Sequence, residues 1–162
     1  MYDPLKEKYH QLYWDIAYDA AKQSVSTKRK VGAVIVTPSG MLSVGWNGTP
    51  AGFDNACEDD NNFTKPEVIH AERNALDKMH QQGVSVHGSI LFVTCMPCLE
   101  CAKAIHNTGL RAVHYDQQKR NNGLAFLRGA GIKCYFRFGQ KYREDIDRKA
   151  GEKNAHKVTD KL

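Results

Sequence analysis

Long apolar runs are missing from this chain. The longest, VGAVIV at 31–36, falls far short of the roughly 20 residues that a membrane-spanning helix needs, which excludes a segment of that kind. The opening residues, MYDPLKEKYH, carry charge and no apolar stretch, so no secretory signal is expected and a cytoplasmic location is. Cysteine is sparse, five in 162 residues, and in a reducing compartment such thiols serve metal binding or catalysis rather than disulfides. No internal repeat interrupts the sequence and nothing marks a second domain, so one compact domain is expected for this length. Hydrophobic residues make up 41% and charged residues 25%, enough of each for a water-facing surface around a single core. The net charge of +5 suits an anionic partner, a phosphate-bearing ligand or a nucleic acid, and equally a mildly basic surface without one.

Leu12, Ile16, Ala17, Ala20 and Ala21 recur at helical spacing and predict a first helix over residues 5–24. Two strands, 31–36 and 41–46, flank Pro38, Ser39 and Gly40, a hairpin turn in which proline presets the first position and glycine accepts positive φ. Residues 47–66 show no periodicity, and an aperiodic loop of that length in a compact domain is functional or disordered. A helix at 69–79, a strand at 89–94, a helix beginning with Pro97 in its first turn and ending at Gly109, a strand at 112–115, a helix at 123–128 and a strand at 132–138 follow. A hairpin followed by alternating helix and strand predicts a three-layer α/β/α domain with a mixed central sheet of about five strands. From residue 140 charges dominate, which divides the chain into a domain at 1–139 and a charged tail at 140–162.

Chemistry concentrates in two short stretches. TCMPCLECAK (94–103) places Cys95, Cys98 and Cys101 at a repeat of three. Cys98 and Cys101 fall at the start of a helix, one turn apart on a shared face, where the helix N-terminus favours thiolates. Cys95 precedes Pro97 at the end of a strand and points elsewhere, as a buried filler or a wall residue. HAE (70–72) offers His70 as a third ligand and Glu72 as a carboxylate beside the metal rather than on it. One histidine and two thiolates leave a zinc ion with a fourth position open for water. A structural zinc knuckle with Cys95 as fourth ligand and a redox pair are the other readings of the CxxC; the redox pair leaves HAE unexplained.

H-x-E followed by P-C-x-x-C, with Cys98 lying 28 positions after His70, resembles the signature of the zinc-dependent cytidine deaminase superfamily. KVGAVIV (30–36), GWNGTPAG (45–52), HAERNAL (70–76) and CMPCLECAKAI (95–105) together resemble the deoxycytidylate (dCMP) deaminases, over roughly residues 9–138. Trp46 stands where that family more often has a smaller aromatic residue. The resemblance implies the cytidine deaminase-like fold, one catalytic zinc per chain on His70, Cys98 and Cys101, and Glu72 as general base and acid. It implies hydrolysis of dCMP to dUMP and ammonia, supplying dUMP for thymidylate synthesis. Its substrate contacts carry over to Asn47 for the sugar and to Ala71, Thr94 and Pro97 around the base.

For the phosphate, the basic stretch STKRK (26–30) offers Lys28, Arg29 and Lys30, and Arg120 is the other candidate. The family also implies a homo-oligomer, a hexamer above all, with dCTP or dTTP, carried with Mg2+, acting as effectors near Trp46, Asn47 and Gly48. A second, structural zinc on Cys57 with His80 or His87 is a further expectation from the resemblance. Alternatives are deamination of dCTP, of tRNA or of single-stranded DNA, and a zinc-stabilised binding module without activity. Acidic residues interleave with the basic ones of the tail, and Tyr142 is its one aromatic, which argues against a nucleic-acid partner.

Overall fold

The computed structural model describes residues 3–138; the boundary at 139–140 and the charged tail lie outside the described residues. A 3₁₀ turn, Glu7–Tyr9, leads into α1, His10–Lys22, and the hairpin strands are β1, Gly32–Val36, and β2, Leu42–Trp46. Then follow α2, Ala71–Gln81; β3, Ile90–Cys95; α3, Leu99–Asn107; β4, Ala112–Gln117; α4, Gly123–Gly129; and β5, Lys133–Phe136. The expected mixed sheet of five strands is present, in the order β2-β1-β3-β4-β5. β1 runs antiparallel to β2 and β3, whereas β3, β4 and β5 are parallel.

Alternation along the strands sorts the apolar residues into two cores, because successive side chains leave a strand on opposite faces. Ala33 and Ile35 of β1 join Leu91, Val93, Val113 and Tyr115 under α2, α3 and α4. Val34 and Val36 join Phe92 under Tyr13, Trp14 and Ala17 of α1. Trp14 meets Phe92 edge-on, with ring centroids 5.3 Å apart, a geometry that adds about 0.5–1.5 kcal/mol to the area buried. A sheet covered on both faces explains why β1 and β3 are buried along their whole length.

Several element boundaries differ from expectation: α1 spans His10–Lys22 rather than 5–24, and α2 starts and ends two residues later than expected. α3 begins at Leu99 rather than with Pro97 in its first turn, because Cys98 is extended (φ −72°, ψ 171°) and serves as the N-cap. β5 ends at Phe136, and the Arg137 amide that follows still donates to the Tyr115 carbonyl. The 47–70 connection is ordered by isolated pairings of Gly48 with Ile69 and Glu58 with Thr64. Among the described residues no helix is long and apolar enough to cross a membrane.

The α1-side core contains a titratable group. His114 stacks between Phe92 and Tyr135, at centroid distances of 4.5 and 4.9 Å, with His10 edge-on at 4.7 Å. Burial, and then the neighbouring His10, push its pKa from 6.5 down to about 3. The unfolded chain therefore takes up a proton that the folded chain refuses. Stability from this residue is complete above about pH 6.5 and is lost as pH falls toward 3, at about 1.4 kcal/mol per pH unit. His114→Phe keeps the stack and removes the proton, so its urea-unfolding free energy should fall less than wild type's between pH 7 and 5. Equal losses in the two proteins would contradict this.

Candidate active site

β1 is antiparallel to β3, so the start of β1 lies beside the carboxyl ends of β3 and β4. Ligand sites in α/β sheets form at such ends, and a cavity of about 390 Å³ opens there. Its floor includes His70, Ala71, Glu72 and Cys98. Two helix N-termini point into this floor. His70 is the N-cap of α2 and Cys98 the N-cap of α3, with Glu72 and Cys101 just inside their first turns. The positive ends of both helices therefore face the thiols and the carboxylate.

Close backbone approach seats both helices. A Cβ on Gly45 of β2 would lie 2.3 Å from the Ala71 carbonyl oxygen, and one on Gly123 would lie 2.0 Å from that of Pro97. Gly45→Ala must lift the start of α2 from the sheet, and a loss of about 2 kcal/mol is expected in urea unfolding. An unchanged midpoint would show that the helix can yield at no cost.

His70 Nδ1 lies 3.4 Å from Cys98 Sγ and 3.5 Å from Cys101 Sγ. Among the described residues these three form the one group of three or more potential ligands, all within 4.8 Å of one another. The electrostatics are those of a set that calls for a cation. Hydrogen bonds from Cys101 and then His70 hold the Cys98 thiol down to about 3, while Cys101, facing that thiolate and buried, is pushed up. The Cys98 contact likewise raises the His70 imidazole. One histidine and two thiols, preformed and mutually crowded, fit zinc. Cys95 stands outside the group: it is buried, lines the cavity, and accepts a 3.0 Å hydrogen bond from Arg29 Nη1.

Glu72 is 4% exposed. Burial pushes its carboxyl up to about 7, against the pull of its own amide, His70 and Cys101. A carboxyl so placed can accept and return a proton near neutral pH.

The remaining expected residues divide. Asn47 lines the cavity; its Oδ1 accepts from the Val31 amide at 2.9 Å and its Nδ2 donates to the Arg29 carbonyl at 2.8 Å. One donor and one acceptor position of its amide stay free by chemistry. Lys28 and Arg29 also line the wall. Thr94 and Pro97 are buried and do not line it, the Thr94 hydroxyl accepting from the Gly32 amide at 3.1 Å. Arg120 is exposed and does not line the cavity; its neighbours Lys119 and Asn121 do.

Both neighbours were missed from sequence. Asn121 Oδ1 accepts from the Gly123 amide at 2.8 Å, but its buried Nδ2 has no partner among the described residues. The Asn-Asn-Gly turn ahead of α4 was the available signal.

Of the residues expected to meet an effector, Trp46 lies under the Lys78 ammonium, 4.9 Å from its ring, and Gly48 pairs with Ile69. The second zinc set is not brought together. Cys57 sits beside the Ser26 loop, through Glu58, at the cavity end of the sheet. His80 is at the far end of α2, roughly 15 Å along the helix. His87 packs on Gly109 before β3 begins, a strand's length away.

Residues 7–117 match the family model described as the cytidine and deoxycytidylate deaminase zinc-binding region. The chain is 32% identical to a Saccharomyces cerevisiae deoxycytidylate deaminase over 79% of this chain and 44% of that protein, so it spans under half of that relative's length. It is 30% identical to the Mus musculus deoxycytidylate deaminase over 84% of this chain and 83% of that one. The crystal structure of dCMP deaminase from cyanophage S-TIM5, in complex with dCMP and dUMP, superposes with a TM-score of 0.78 at 37% identity, covering 82% of this chain and 99% of that one. The His70, Cys98 and Cys101 cluster lies within the matched region, and the chain belongs to the cytidine and deoxycytidylate deaminase family.

Proposed function

We propose that this protein hydrolyses dCMP to dUMP and ammonia. The observation that carries the proposal is a buried carboxyl, Glu72, beside the His70, Cys98 and Cys101 cluster, at the floor of a cavity walled by Lys28, Arg29 and Lys119. His70 Nδ1, Cys98 Sγ and Cys101 Sγ would hold one zinc ion, which when bound supplies a Lewis acid that makes a water molecule nucleophilic at neutral pH.

The chain's own residues do the rest. Glu72 takes the proton from the attacking water and passes it to the ring nitrogen beside C4. Once the C4–O bond has formed, Glu72 takes the remaining proton of the added hydroxyl and delivers it to the amino group, so that the C4–N bond breaks, ammonia leaves and the C4 carbonyl forms. Each transfer resets the carboxyl, which is why one group can act as base and then acid. Asn47, with one donor and one acceptor to spare, suits the deoxyribose, and Ala71 lies where the base would rest. The unpartnered Asn121 amide offers a further donor. Lys28, Arg29 and Lys119 give the phosphate a positive wall.

The test is ammonia release by zinc-loaded protein from dCMP, dCTP, deoxycytidine and a single-stranded oligonucleotide, side by side. Turnover greatest with dCMP supports the proposal. Turnover confined to dCTP, or to the oligonucleotide, assigns a different substrate, and zinc binding without turnover assigns a binding module. We extend the family's habits to a hexameric homo-oligomer controlled by dCTP and dTTP with Mg2+. Light scattering and assays with each nucleotide test that extension.

A further inference from the structure

Glu58 does not line the cavity, yet it holds one wall of it together. One of its carboxylate oxygens, Oε1, accepts three hydrogen bonds from a segment 30 residues earlier: from the Ser26 hydroxyl at 2.7 Å, the Thr27 amide at 3.1 Å and the Lys28 amide at 3.3 Å. Consecutive backbone amides converging on one anion form a nest, a concavity that favours negative charge. The Ser26 hydroxyl contact, followed by the two amides, keeps the carboxyl below its ordinary range.

The grip continues on either side of this anchor. Ser26 Oγ accepts from the Arg29 amide at 3.4 Å, and the Lys28 ammonium lies 5.4 Å from the Phe63 ring centroid. Glu58 is itself braced by its pairing with Thr64 and by the Lys65 amide, which donates to the Cys57 carbonyl at 2.8 Å.

Residues 23–31 join α1 to β1 without regular structure, so no helix or strand ladder fixes their backbone. Ser26, Lys28 and Arg29 nevertheless face the cavity. Their far side is tied by Asn47 to the Arg29 carbonyl and by Arg29 to Cys95. Their near side is tied by Glu58 above all. Without that carboxylate a hydroxyl and two amides lose their acceptor, and the two cations lose their fixed place at the mouth.

We propose that Glu58 is a positioning residue for nucleotide binding: it folds residues 26–29 into the loop that presents Lys28 and Arg29 to the substrate phosphate. This rests on the reading of that wall as the phosphate site. The carboxylate lies behind the segment and outside the cavity lining, so its own charge is turned to the amides. Its effect falls on binding and leaves proton transfer at Glu72 unchanged.

Steady-state kinetics with dCMP and with deoxycytidine, on zinc-loaded protein, test it. Glu58→Ala should raise the KM for dCMP about tenfold or more, the scale of losing hydrogen bonds to a charged group, with kcat within about twofold. The kcat/KM for deoxycytidine, which has no phosphate, should hold within about twofold. Glu58→Gln keeps an acceptor without the charge and should recover part of the loss. Ser26→Ala should add little to Glu58→Ala, since the two act through one contact.

Equal losses for the two substrates, a fall in kcat with KM unmoved, or a Glu58→Ala protein that binds dCMP normally would each overturn the positioning role. A Lys28→Ala/Arg29→Ala double variant separates this from the reading beneath it. If that variant leaves the dCMP KM unmoved, the phosphate wall itself is refuted. If it raises KM and Glu58→Ala does not, only the role of Glu58 is.

Discussion

Glu72→Gln should bind one zinc per chain and turn over dCMP at least about 10³-fold more slowly than wild type, the range of a lost general acid–base group. Glutamine has the shape of glutamate and can occupy the same site at the start of α2. It cannot accept a proton from water or return one to ammonia, and both transfers are assigned to this one carboxyl. The site's architecture should survive, because the substitution removes a carboxylate from a place that is 4% exposed, where burying charge is costly. Thermal stability should therefore be no lower than in wild type. dUMP formation and metal content, measured on the same sample, decide the matter. A variant with zinc bound and turnover intact would remove Glu72 from the mechanism.

Cys101→Ser should lose the metal itself. Cys101 is 5% exposed, and His70 Nδ1 lies 3.5 Å from its Sγ. A serine hydroxyl does not ionise near neutral pH, so the cluster falls from three good donors to two. Metal binding at such a site is coupled to folding, and the loss should appear in stability as well as in activity. After dialysis the variant should retain under about a tenth of an equivalent of zinc, and its thermal midpoint should match that of zinc-stripped wild type. Both variants are inactive for different reasons, and the zinc content separates them. Full zinc occupancy in Cys101→Ser would mean that the ligand set has been misassigned.

The cluster was legible in the sequence because its members are chemically rare and locally spaced. HAE and PCLEC each lie at a helix start, and helix geometry turns three-residue spacing into a shared face. The sheet was legible for a similar reason: β-branched runs punctuated by turn residues mark strands whatever they pack on. The cavity wall was not. Lys119 and Asn121 face inward while Arg120 between them faces out, and no period governs a loop, so a shift of one residue inverts the choice. Pro97 lies two residues before the first helical residue rather than in the first turn, because nothing local reveals that Cys98 is extended and caps α3. Glu58 had no sequence signal at all. Its three partners lie 30 to 32 residues away and become neighbours only when the 47–70 connection folds over the start of β1.

The most direct test of the account is a zinc titration of metal-stripped protein, following dUMP formed from dCMP. No turnover is expected without metal, and the rate should rise with added zinc and stop rising at one zinc per chain. A full rate without metal, or one equivalent of zinc bound with no dUMP produced, would contradict it.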